Sequence, residues 1–273
     1  MIRAVLLAPV YNSLYARLIA HILSREKDVE LSAVIVRSIW NFQRINSEFT
    51  RDGARLVKKI YQKLLVGDQR FSGYKGNNLT AMARQQDLRY KTLSELANDL
   101  KIPYFVVKDH NQPKSLQIIQ KIQPDVIIFT GGGLLRKPLL EMPRLGLLNC
   151  HTGILPEYRG MDVVEWTAVE ENINSVGFGA TLHFIDTGVD TGPVLLRKRI
   201  SPARNATFEE IRAELETIMV ELMVQGVRGL RDGSISAVPQ NFTEGRQYFV
   251  MHPRVKSAAK ARLTRQILKI SKD

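Results

Sequence analysis

The sequence predicts an α/β fold: a mostly parallel sheet flanked by helices, followed by a smaller, mainly helical C-terminal region. Three observations carry this expectation. Strand-like and helix-like segments alternate through most of the chain, the pattern of strands joined by helical crossovers. The run Asp125-Val126-Ile127-Ile128-Phe129 is apolar without alternation, as a strand covered on both faces is. From Ser201 onward, helical periodicity dominates and strand signals thin out.

The elements follow in order. Ile2-Arg3-Ala4-Val5-Leu6-Leu7-Ala8 reads as a first strand. Residues 13–24 read as a helix whose apolar face is Leu14, Leu18 and Ile22 with Tyr15 and Ile19 beside them, Arg17 and His21 lying off it. Leu31-Ser32-Ala33-Val34-Ile35-Val36 is a second strand. The alternation then lapses in a basic insertion, about 37–91. Within it Leu56, Val57, Ile60, Tyr61, Leu64 and Leu65 recur at helical spacing. Such a stripe packs on its own domain or on a second subunit, which leaves a homodimer open; a membrane-surface or nucleic-acid contact is the alternative. Residues 67–78, rich in Gly and polar side chains, read as a loop. Regular structure resumes with a helix over 92–100, the strand Tyr104-Phe105-Val106-Val107 and a helix over 113–122 with Pro113 near its start.

The strand 125–129 ends in Thr130-Gly131-Gly132-Gly133, where glycine lets a ligand approach the backbone or simply makes a flexible turn. Gly146-Leu147-Leu148 reads as the end of another buried strand, and 161–171 as a helix with Trp166 in the core. Residues 181–185 form a strand that turns into a second apolar run, Val194-Leu195-Leu196. In the last part, 207–227 is a helix striped by Ile211, Leu215, Ile218, Met219, Leu222 and Met223. Residues 235–239 are a short strand, and the Lys/Arg-rich tail from Val255 is a solvated helix. The expected domains are therefore 1–200, carrying the insertion, and 201–273.

Composition limits the function classes. In 273 residues, 44% are hydrophobic, enough for one large domain or two modest ones. One cysteine excludes an internal disulfide, and five histidines without ligand spacing give no reason to expect a metal. No apolar run approaches the roughly 20 residues of a transmembrane helix. The N-terminal stretch mimics a signal peptide, but Tyr11, Asn12, Ser13, Arg17 and His21 interrupt it, so a cytoplasmic location is expected and the sequon at Asn241 carries no meaning. The net charge of +12, much of it in 51–63 and 254–272, favours an anionic partner: a nucleotide, a nucleic acid, a polyglutamylated folate or an acidic membrane surface.

The chemistry concentrates in Leu148-Asn149-Cys150-His151-Thr152-Gly153-Ile154-Leu155-Pro156-Glu157-Tyr158-Arg159-Gly160. Along a strand, residues two apart share a face, so Asn149 and His151 project together at a carboxyl end, where open α/β sheets place ligands. An amide N–H beside a proton acceptor is what acyl transfer requires. Cys150 then faces the other way, as a small buried hydrophobe. Further on, Ile185-Asp186-Thr187-Gly188-Val189-Asp190-Thr191-Gly192 is a turn with two carboxylates, either of which can orient His151 and favour its protonated form.

These blocks, Asn149-x-His151 with Leu155-Pro156-x-x-Arg159-Gly160 and then Val189-Asp190-Thr191-Gly192, resemble the 10-formyltetrahydrofolate-dependent formyltransferases. Leu140-Glu141-Met142-Pro143-Arg144-Leu145-Gly146 is similar to the tRNA members. The resemblance covers about 124–199. It implies a Rossmann-like formyltransferase sheet, 10-formyltetrahydrofolate as co-substrate, and Asn149, His151 and Asp190 as catalytic residues, Asp190 in preference to Asp186. It also implies that Gly133, Leu134, Leu135 and Arg136 line the folate pocket. The backbone of Ile185, Asp186, Thr187, Gly188 and Val189 would meet the pterin. His183 is read as an ordinary core or edge histidine.

The acceptor is narrowed by what differs. Glycinamide ribonucleotide members carry a Gly-rich phosphate loop where this chain has Ala8-Pro9-Val10-Tyr11-Asn12-Ser13. The tRNA members carry a C-terminal barrel larger than the segment after Ser201. The expected acceptor is a small primary amine, on a nucleotide-linked amino sugar. A methionyl-tRNA formyltransferase-like enzyme and a catalytically silent folate- or nucleotide-binding module are the alternatives.

Overall fold

The computed structural model describes residues 1–38 and 78–270. The expected stripe at 56–65, the basic run at 51–63 and nearly all of the loop at 67–78 lie outside the described residues. The chain divides into two compact units, 1–75 with 80–145 and 76–79 with 146–273. Among the described residues no helix is long and apolar enough to cross a membrane.

The first unit is built on four parallel strands in the order β3-β2-β1-β4: β1 (Ile2–Ala8), β2 (Val29–Arg37), β3 (Tyr104–Val107) and β4 (Val126–Phe129). The chain walks outward from β1 to β3 and returns to the other side of β1 as β4, so strand order reverses between β1 and β4. Every residue of β4 is buried, as its unbroken apolar run requires. Connecting helices are α1 (Leu14–Leu23), α2 (Leu79–Gln85), α3 (Leu93–Asp99), α4 (Pro113–Ile122) and the single turn α5 (Lys137–Leu140). Ser13 caps α1 by accepting from the Ala16 N–H at 3.3 Å, and Thr92 caps α3 through Glu95 N–H at 3.1 Å. The buried face of α1 is rotated from the expected one: Ala16, Leu18, Ile19, Ala20, His21 and Leu23 face inward. His21 tolerates burial because its Nε2–H donates to Gln86 O at 2.9 Å. The α2 helix escapes a periodicity reading because seven residues offer too short a stripe, although Leu79 and Met82 are buried.

The second unit contains β5 (Gly146–His151), β6 (Tyr158–Gly160), α6 (Val163–Val169), β7 (Phe178–Phe184), β8 (Val194–Ile200), α7 (Phe208–Asp232), β9 (Arg246–Tyr248) and α8 (Pro253–Ile270). Here β5, β7 and β8 pair antiparallel. The expected mostly parallel sheet is thus found, with these pairs as its antiparallel part. β7 and β8 can pair antiparallel because the connection 185–193 is too short to hold a crossover helix. β6 and β9 form a separate parallel pair. The strand expected at 235–239 is a single bridge between Val194 and Val238.

The α7 helix extends beyond its expected end, to Asp232, and stops at Gly233 with φ +73°. It packs on β5, β7 and β8, and Gly226 lets it settle against Leu182, where a side chain would collide. The tail helix is not fully solvated as expected. Ala259, Leu263 and Ile267, spaced four apart, are buried, and α8 packs on α6. Gln266 Nε2 also donates to Ala168 O at 2.7 Å.

The N-terminus of α7 closes a capping box: Glu210 N–H donates to Thr207 Oγ1 at 3.2 Å and Thr207 N–H to Glu210 Oε2 at 2.7 Å. Thr207→Ala is expected to cost about 1 kcal/mol. In urea unfolding the midpoint should fall with the slope unchanged; an unchanged midpoint would show that packing alone holds this helix end.

Candidate active site

Strand pairing assembles the polar cluster of the second unit. β5 sets Asn149 and His151 on one face, and its antiparallel register with β7 places His183 opposite Asn149 and Thr181 opposite His151. Cys150, on the other face, is buried, and burial pushes its thiol far above the usual range. It is inert packing.

Both nitrogens of the His151 ring face acceptors. Nε2–H donates to Tyr158 O at 2.8 Å, and Nδ1 lies 3.3 Å from Asp190 Oδ2. Gly153 makes the first contact fit, since a Cβ there would sit 2.7 Å from His151 Nε2 and 2.9 Å from Tyr158 O. Asp190 Oδ2 also accepts the Gly160 N–H at 2.9 Å. Gly160 itself has φ +99°, and a side chain on it would strike the Tyr248 carbonyl. The Leu-Pro-x-x-Arg-Gly element thus supplies two backbone partners, one for each member of the His151–Asp190 pair.

The turn between β7 and β8 presents Asp190 with a left-handed φ of +53°. Gln240 holds it there: Nε2 donates to Asp190 O at 3.0 Å and to Gly192 O at 2.6 Å. Asp186 has a different task. Its Oδ1 accepts from Gly188 N–H at 2.9 Å and Thr191 Oγ1 at 2.5 Å, closing the turn from inside. The structure brings Asp190, not Asp186, against His151.

His183, read from sequence as an ordinary core histidine, joins the cluster. Its Nδ1 faces Phe184 O at 2.7 Å, and a carbonyl can only accept, so Nδ1 carries a proton. Nε2 is then an acceptor for the Asn149 Nδ2–H at 3.1 Å. One amide N–H is thereby fixed on His183. His183 Nε2 also lies 3.5 Å from Asp190 Oδ1. No local pattern announced this role; only the cross-strand register does.

Burial and charge oppose each other in the pair. Burial pushes the Asp190 carboxyl up, but His151, His183 and the Gly160 N–H together outweigh it and leave the group at about 2. Burial pulls the His151 imidazole below its ordinary value, and the Asp190 charge and the Tyr158 carbonyl only partly resist. The Asp190 charge acts in the direction the sequence suggests, toward the protonated ring, and burial acts against it. Both ring nitrogens face acceptors, the arrangement in which each can hold a proton.

The segment Gly133, Leu134, Leu135 and Arg136 belongs to the first unit. Gly131, Gly132 and Gly133 have φ of +109°, +126° and +101°, which requires glycine and settles why three occur in a row. Asn111 pins the turn: Nδ2 donates to Leu134 O at 3.0 Å and Oδ1 accepts Arg136 N–H at 2.7 Å. Behind it, Arg37 donates to Gly132 O, and buried His110 is pulled down to about 4 by burial and the Arg37 charge. The turn is thus a fixed structure rather than a flexible one. In the second unit, Ile185, Asp186 and Val189 are half-buried, and Thr187 and Gly188 are exposed at the turn's tip.

A family model described as formyl transferase matches residues 75–227, more than half of the chain. Among curated relatives, the methionyl-tRNA formyltransferase of Thermodesulfovibrio yellowstonii is 35% identical over 136 residues, 49% of this chain and 42% of that protein. That of Pelobacter propionicus is 31% identical over 178 residues, 61% of this chain and 54% of that protein. The chain spans about half the length of the curated relatives it matches. Among solved structures, glycinamide ribonucleotide transformylase 1 from Symbiobacterium toebii is similar with a TM-score of 0.56 at 16% identity, covering 88% of this chain and 95% of that one. A 4-N formyltransferase from Francisella tularensis is similar with a TM-score of 0.57 at 12% identity, covering 96% and 87%. At those identities the structural likenesses speak for the fold alone. The family match spans β5, β6, β7 and the turn that carries Asp190, and on that match the chain belongs to the formyl transferase family.

Proposed function

We propose that this protein transfers a formyl group from 10-formyltetrahydrofolate to a primary amine, carried by a nucleotide-linked amino sugar. The observation that supports it most is the cluster itself. An amide N–H held by His183, a buried imidazole and an ionised carboxylate converge within one strand pair and the turn that follows it. That donor set suits acyl transfer, in which an oxyanion and a proton must be managed together. Bound 10-formyltetrahydrofolate would supply the formyl carbon. The chain's own residues would do the rest. Asn149 donates its free N–H to the formyl oxygen as the amine's N–C bond forms and the oxygen gains the electron pair. The Asp190–His151 pair takes up the amine proton. When the oxyanion returns its electron pair and the C–N bond to the folate breaks, that nitrogen takes the proton back from the pair, and the formylated amine and tetrahydrofolate leave.

The same proposal assigns contacts with the co-substrate to Gly133, Leu134, Leu135 and Arg136, and to the turn Ile185, Asp186, Thr187, Gly188 and Val189. Because Asp186 spends its carboxylate inside the turn, recognition there falls to backbone groups. The choice of acceptor rests on the first βα turn: it has no glycine, and Ser13 already caps α1, so no open phosphate loop precedes that helix. A methionyl-tRNA acceptor is the second reading, favoured by the identity to the relatives that bear that name. A cytoplasmic location accompanies either reading.

Two outcomes test this. Asn149→Ala is expected to lower turnover roughly 100- to 1000-fold, the usual loss for one oxyanion donor, with the unfolding midpoint retained. Tetrahydrofolate release measured against a panel of amines reads it, and near-normal turnover would refute the assignment. Second, the acid limb of kcat/KM should lie below about 6.5, the ordinary histidine value. Asp190→Asn removes the charge that resists desolvation of His151, so the residual activity should show a limb displaced further toward acid. Activity that falls on the alkaline side of that value instead would mean that His151 acts in its protonated form.

A further inference from the structure

Residues beyond 227 lie outside the family match, yet they reach the catalytic turn. Gln240 fixes Asp190, and Tyr248 O lies against Gly160. Next to that contact, three large apolar side chains stand in solvent: Met161, Phe249 and Val250, exposed by 57%, 70% and 65%. Their exposure is not slack at a loose end. Tyr248 is buried, with Tyr158 stacked on it at 5.1 Å and Trp166 tilted against it at 5.4 Å. Trp166 Nε1–H donates to Phe249 O at 3.0 Å, and Met161 N–H to Tyr248 O at 3.0 Å. Met251 is buried, and its N–H donates to Asp162 Oδ2 at 2.8 Å. The backbone on both sides of the Phe249-Val250 pair is therefore fastened, and the fold holds these side chains outward.

What covers them is limited by size, place and charge. Three side chains fall far short of the roughly 800 Å² per partner that a stable protein interface needs, so the occupant is small. Met161 directly follows Gly160, whose N–H holds Asp190, so the shelf begins one residue from the catalytic carboxylate's partner. Beyond Val250 come His252 and Arg254, both exposed, while Lys256 is neutralised by Asp162 at 2.9 Å. An aromatic face followed by a guanidinium matches a planar base followed by phosphate.

We propose that Met161, Phe249 and Val250 form the acceptor's nucleotide subsite. The base of a nucleoside diphosphate rests on Phe249, and its phosphates lie toward Arg254 and His252. This rests on the reading of the acceptor given above, but its test does not depend on formyl transfer. Calorimetric titration of the full chain with uridine and thymidine diphosphate, without folate, should show saturable binding. Phe249→Ala should weaken it about tenfold or more, consistent with base stacking on an aromatic side chain. Phe249→Tyr should restore it, Arg254→Ala should flatten its salt dependence, and ribose 5-phosphate should not distinguish wild type from Phe249→Ala. Unfolding midpoints should be unchanged in all three variants. Three outcomes would overturn the proposal: equal nucleotide affinity in Phe249→Ala, binding only of a CCA-ended oligonucleotide, or a concentration-dependent dimer abolished by Phe249→Ala. Loss of formyl transfer in Asn149→Ala leaves nucleotide binding standing, so the two readings fail separately.

Discussion

The Asp190 carboxylate is the point on which the second unit turns. One oxygen faces His151 and accepts from Gly160; the other faces His183, which in turn holds Asn149. Four segments separated along the chain thus close on one charge. That charge stays ionised although it is largely buried, because three partners compensate the loss of water. Take the carboxylate away and the imidazole, the strand-end amide and the Arg-Gly element lose a common reference. The positive φ at Asp190 and the strict need for glycine at 160 are local costs of bringing backbone that close.

The balance at His151 shows why proximity of opposite charges does not by itself decide protonation. A carboxylate at 3.3 Å pulls the ring toward its charged form, but nearly complete burial pulls harder the other way. The pair is held in a fixed arrangement, each ring nitrogen on an acceptor, so its dipoles are set before any ligand arrives.

Much of this was legible in the sequence because it is written in short-range patterns. Alternation along β5 puts Asn149 and His151 together and sends Cys150 away. Unbroken apolar runs mark β1 and β4, and Pro113 marks the start of α4. What escaped is written in long-range pairing. His183 enters the cluster only through the register of β5 on β7, Gln240 through a contact fifty residues away in sequence, and Asn111 by bracing a turn in another loop. The antiparallel pairing of β8 on β7 goes with the short connection between them, which the alternation of strand and helix signals does not weigh. On α8 the apolar spacing of Ala259, Leu263 and Ile267 was present, but abundant Lys and Arg masked it. On α1 the small residues Ala16 and Ala20 set the buried face, where a reading led by bulk favours Leu14 and Ile22.

The grip of Gln240 on the Asp190 turn gives the C-terminal segment a structural role. A segment lying past the stretch that the family model matches is joined to the Asp190 turn by two hydrogen bonds to main-chain carbonyls. Because the bonds reach main-chain carbonyls, the outer segment holds the turn by its backbone, and the attachment depends on the one Gln240 side chain. It works as a latch, closed from outside the matched core.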